Sequence, residues 1–170
     1  MRSAALLAIT VCLWSAASGC GRGDPPPEAA RPVRYPPVVL RPGDPEPATG
    51  LRSIEVTRPV PGQAFAPGVI VPCTLECRVA VGEEFRHNVD LEVRRRDVIT
   101  GSGSVDAVDD RGEGRYTLSG VVRMPTQPGR YELRAVAMVT VLRYGADPTT
   151  LPESEVVRTV SRPIAIEVVP

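Results

Sequence analysis

The chain has no lysine: all twenty of its cations are arginine, and twenty Asp and Glu balance them to a formal charge of zero. That balance offers no electrostatic argument for nucleic acid or for a strongly anionic partner. Histidine occurs once, at His87. A Ser-His-Asp triad would have to be built on that imidazole, and no nucleophile-elbow sequence accompanies it. Aromatics make up 4% of the residues and fall mostly in apolar rows, which leaves little for the exposed platforms of a sugar-binding surface. Cys73-x-x-x-Cys77 has no second ligand pair nearby, which argues against a metal or redox role. No apolar run reaches the about 20 residues of a membrane-spanning helix. No window carries a helical period.

The first twenty residues carry an ordered pattern. Arg2 supplies one positive charge, Ala4 to Ala17 is apolar apart from Thr10 and Ser15, and the small residues Ala17-Ser18-Gly19 precede Cys20. The length suits a signal-peptide core. Met1 to Cys20 resembles a bacterial lipoprotein signal with its lipobox. The resemblance implies that the Cys20 thiol receives a diacylglyceryl group, that residues 1–19 are removed, and that Cys20 becomes an acylated N-terminus. It implies a cell-envelope address facing the periplasm or cell surface. Gly21, standing where Asp would favour inner-membrane retention, points to the outer membrane over the inner. Ordinary secretory cleavage near Ala17 or Gly19 would instead leave Cys20 a free thiol. An acyl chain contributes about 0.8 kcal/mol per buried methylene, so several together hold firmly.

Residues 20–51 read as the lipidated cysteine and a disordered Pro-rich linker. Pro25-Pro26-Pro27, Pro36-Pro37, Pro42, Pro45 and Pro47 fix φ and remove backbone donors, which bars helix and central strand. The stretch is expected to be extended, at about 3.1 Å per residue where polyproline-like. It serves as a spacer, or as a site for a proline-binding partner. Val38-Val39-Leu40 is its one apolar patch, docked or solvated.

Residues 52–170 change to period-two alternation, the mark of half-buried strands. The rows are Ile54/Val56, then Val71 to Val81, Val89/Leu91/Val93, Tyr116 to Met124, Tyr131 to Val141, and Ile164/Ile166/Val168. Turn residues separate them, among them Pro61-Gly62, Pro67-Gly68, Gly101-Ser102-Gly103, Gly112-Glu113-Gly114 and Pro128-Gly129. The fold expected is all-β: a single antiparallel β-sandwich of about seven strands. Ile54-x-Val56 followed by Pro59, Gly62, Phe65 and Pro67-Gly68 resembles the opening of bacterial immunoglobulin-like domains. Pro128 to Ala135 resembles their late strand. That resemblance implies an architecture and transfers no binding residues.

Five groups are candidate sites. Cys73 and Cys77, four apart on one strand, would lie about 13 Å apart, beyond disulfide reach, and are expected to be reduced core thiols. A local break at Pro72 would instead allow a mutual disulfide. Asp106, Asp109, Asp110 and Glu113 offer oxygen ligands for calcium, or an ordinary solvated turn. His87 is expected in a solvated loop, and Arg94-Arg95-Arg96 on a solvated edge. No metal, cofactor or catalytic residue is assigned. Asp147, Thr149, Thr150 and Glu153 lie in the longest late loop and form the candidate partner loop.

The function expected is a non-catalytic binding or assembly module of a membrane-anchored envelope lipoprotein. Its partners would be the bilayer, through acylated Cys20, and an envelope protein, with no nucleic acid. The alternatives are a carbohydrate-binding module and an accessory domain of an envelope enzyme system.

Overall fold

The computed structural model describes residues 31–47, 50–147 and 149–170. Cys20 and the signal segment lie outside the described residues. The strands are β1 (Val38–Leu40), β2 (Ser53–Arg58), β3 (Ala64–Phe65), β4 (Ile70–Arg78), β5 (Asn88–Arg95), β6 (Val98–Asp110), β7 (Arg115–Arg123), β8 (Gly129–Arg143), β9 (Glu153–Val160) and β10 (Ile164–Val168). They form one ten-stranded sheet in the order β2-β4-β7-β6-β5-β8-β10-β3, with β1 and β9 also paired to β8. The expected count of about seven strands and the purely antiparallel sheet are both corrected. β1 runs parallel to β8, and β3 parallel to β10. Among the described residues there is no helix.

The alternating rows become strands because one face of each is buried. On β4, Val71, Cys73, Leu75 and Cys77 are buried while Ile70, Pro72, Glu76 and Arg78 are exposed. Leu75, Leu91, Leu118 and Leu133, from four different strands, are fully buried and meet in one core with Ile54, Met124, Tyr131 and Ile166. Each such leucine contributes about 1.5–3 kcal/mol relative to exposure. Pro72 does not break β4, because it lies beyond the end of β2, where no ladder hydrogen bond is asked of its nitrogen.

The sheet curls at β6. Its first half pairs with β5 and its second with β7. Gly101-Ser102-Gly103 is therefore strand and not turn, which corrects the sequence reading. A Cβ on Gly103 would lie 2.0 Å from the Val121 carbonyl oxygen, and one on Gly120 would lie 2.3 Å from that of Ser104. Glycine is required where β6 and β7 approach this closely.

The Pro-rich segment is not free over its described length. The Val33 amide donates to the Val105 carbonyl oxygen at 2.9 Å. The Tyr35 amide donates to Asn88 Oδ1 at 2.8 Å, and Asn88 Nδ2 donates back to the Tyr35 carbonyl at 3.2 Å. Val38-Val39-Leu40 then pairs with Val141 to Arg143, and Arg34 reaches Asp90 at 3.0 Å. Tyr35 lies edge-on to Phe85, with ring centroids 6.0 Å apart. The disordered linker expected over residues 20–51 is corrected for this stretch, because Asn88 supplies the strand-like partner that Pro36 and Pro37 cannot. Asn88→Ala removes both hydrogen bonds. It should cost about 1–3 kcal/mol and speed proteolysis between residues 31 and 47, read by timed digestion and mass spectrometry.

Two further expectations change. His87 is buried, its ring 5.3 Å from that of Phe85, and not solvated. Arg94 is half-buried at the β5–β6 hairpin beside Glu92, 3.5 Å away, while Arg95 lies 6.0 Å over the Tyr131 ring. Arg95 and Arg96 are exposed, as expected, but the run sits at a hairpin end between interior strands and not on an edge.

Cys73 and Cys77 are free and buried, as the spacing predicts. Burial pushes each thiol up to about 12. The folded state favours the protonated form, so this contribution is intact below the ordinary thiol value and is lost as pH rises toward 12. The slope is about 1.4 kcal/mol per pH unit for each thiol. Chemical denaturation between about pH 8 and pH 11 should cost the native chain at least about 2 kcal/mol more than the C73A/C77A double variant. Neither thiol should react with an aromatic disulfide until the chain is denatured.

Candidate functional site

The late loop predicted from sequence is the tip of the β8–β9 hairpin. Its backbone is held by its own side chains, as Asx chemistry favours. The Asp147 carboxylate accepts from the Thr149 hydroxyl at 2.7 Å and from the Thr149 amide at 2.9 Å. The Thr150 hydroxyl donates to the Asp147 carbonyl at 2.8 Å. The Thr149 hydroxyl and amide hold the Asp147 carboxyl below its usual range. Glu153 does not join this cluster: it is the first residue of β9 and sits opposite Arg143 in the ladder. The structure thus brings together Asp147, Thr149 and Thr150, and places Glu153 at the hairpin's flank.

Arg143 ties the hairpin to the N-terminal segment. One guanidinium nitrogen donates to Glu46 at 2.6 Å and the other to Glu155 at 3.1 Å. The hydrogen bonds from Arg143 to Glu46, and then to Glu155, raise the arginine further above its ordinary value. The Tyr144 amide donates to the Leu40 carbonyl at 2.9 Å. These contacts close an open cleft of about 420 Å³ lined by Val39, Arg41, Pro42, Tyr144, Gly145 and Ala146. Leu151, next after Thr150 in the chain, is 91% exposed. The site therefore offers a fixed hydrogen-bonding turn beside apolar side chains facing solvent. Val39 belongs to the apolar patch expected to be docked or solvated, and it is docked on β8. Sequence reasoning missed Tyr144 and Arg143, since nothing in the chain pattern says that residues 39–46 lie against residue 143.

The acidic candidates do not converge. Asp106, Asp109 and Asp110 lie on β6 and Glu113 in the following turn. Asp109 faces Arg111 at 3.6 Å, and the Asp110 carboxylate accepts from the Gly112 amide at 2.7 Å. Among the described residues no three His, Cys, Asp or Glu side chains group as a metal site. Nor, among those residues, is any helix long and apolar enough to cross a membrane.

No family model matches the chain, and no curated protein matches it. Among solved structures, the Bacillus anthracis TIE protein is similar at 12% identity and a TM-score of 0.31, over 71% of this chain and 25% of that one. The chain thus spans about a quarter of that protein's length, and a likeness at this level carries no argument.

Proposed function

We propose that the chain is an envelope lipoprotein, anchored through acylated Cys20, whose ordered body is an immunoglobulin-like β-sandwich acting as a non-catalytic binding and assembly module. The sandwich reading is supported by β6, which pairs with β5 along one half and β7 along the other, and by the core shared between the two sides of the curl. The observation that carries the binding reading is the hairpin tip. Its turn is preformed by Asp147, Thr149 and Thr150, so little ordering cost remains when a partner docks. Exposed Leu151 and Tyr144 supply the apolar contact.

The intact protein, isolated from its own membranes, should retain a specific protein partner. Leu151→Asp should reduce that retention about tenfold with no change in thermal midpoint, since the side chain packs on nothing in the free fold. Retention of glycan without protein would favour a sugar-binding module. Turnover of an envelope substrate would favour an enzyme accessory.

A further inference from the structure

The edges of the sheet are not treated alike. β2 ends in a register shift between Val56 and Arg58, β1 is three residues long, and β3 is two. The part of β4 that β2 leaves uncovered carries Pro72. Such features blunt an edge against another chain. β9 has none of these three, and the charges it carries are Glu153, Glu155 and Arg158. It runs for eight residues with no proline, pairs with β8 without a register break, and meets no strand on its other side among the described residues. Val156 and Val160 on its outer face are 52% and 46% exposed. Along the free edge, backbone N–H and C=O groups stand ready for one more strand.

We propose that the strand it takes is β9 of a second copy, paired antiparallel about a two-fold axis, so that two sheets join into one. This rests on the assembly reading above and names its partner. The charges on β9 select the register. Centred on Val157, the pairing sets Val157 against its own copy, Glu155 against Thr159 and Val156 against Arg158, with no like charges opposed. Centred on Arg158 it sets that cation against itself, and centred on Glu155 it sets that anion against itself. Centred on Val156 it brings Pro152, which has no N–H to give, opposite Val160. A seven-residue edge contact is small, so the dimer is weak in solution, and confinement of both copies to one bilayer raises its population.

The test is sedimentation equilibrium of the full chain in density-matched nonionic detergent, from about 10 to about 500 µM. The mass should rise from one chain to two with concentration. Val156→Arg opposes two pairs of arginines and should weaken the dimer roughly tenfold or more, while Val156→Glu opposes Glu to Arg158 twice and should tighten it about threefold. Val156 is on the solvent face, so both variants should keep the thermal midpoint of the native chain. A native chain that stays monomeric throughout overturns the pairing, and a V156E variant weakened like V156R overturns the register. A monomeric chain that still retains an envelope protein from membranes defeats this inference alone and leaves the binding reading standing.

Discussion

Replacing Gly103 by alanine is expected to cost about 4 kcal/mol or more, enough to unfold much of a domain whose total stability is about 5–15 kcal/mol. The new Cβ would sit 2.0 Å from the Val121 oxygen, 2.6 Å from Val122 Cα and 2.9 Å from the Val121 carbonyl carbon. All three neighbours are backbone, so no side chain can swing aside, and relief requires β6 to part from β7. That parting would undo the ladder from Gly103 to Asp110 by which β6 and β7 are joined. Gly50→Ala is the control: nothing lies within 4 Å of its added Cβ, and its midpoint should stay within about 0.5 kcal/mol of the native value. Urea denaturation of the three proteins checks the pair. A Gly103→Ala variant as stable as the control would mean that β6 and β7 do not approach as described.

Leu118→Ala is expected to cost about 2–5 kcal/mol, the sum of lost transfer energy and the cavity left behind. Leu118 is fully buried and stands in the ladder between Leu75 of β4 and Val108 of β6. The flanking strands are fixed by their own pairing, so the space collapses little. Leu151→Ala removes the same atoms from a side chain 91% exposed and should be nearly neutral. The contrast, read as denaturation midpoints at constant slope, measures how much of the stability lies in the shared core.

The strands legible in the sequence were those with one wet and one dry face. β2, β4, β5, β7, β8 and β10 each show their alternation because a buried residue recurs at every second position over most of their length. β6 was hidden, since its glycines, needed for close approach, are the same residues that signal a turn. β9 was hidden for the opposite reason: both of its faces are largely exposed, so Glu153 to Val160 carries no period to read. β1 was masked by the prolines around it, and its pairing is set by a distant strand. His87 was readable after all. Phe85, His87, Val89, Leu91 and Val93 alternate without interruption, and the imidazole follows its row into the core. Of the candidate site, the turn chemistry of Asp147, Thr149 and Thr150 was local and therefore legible. The cleft beside it depends on Arg143 meeting Glu46, a contact across 97 positions of chain that no spacing encodes.

Anchoring through Cys20 is the central claim, and mass spectrometry of the N-terminal peptide from protein extracted out of its own host membranes tests it most directly. The account predicts a mature chain that starts at Cys20 and carries covalently bound acyl chains. A chain that starts elsewhere with Cys20 unmodified, recovered from the soluble fraction, would contradict it.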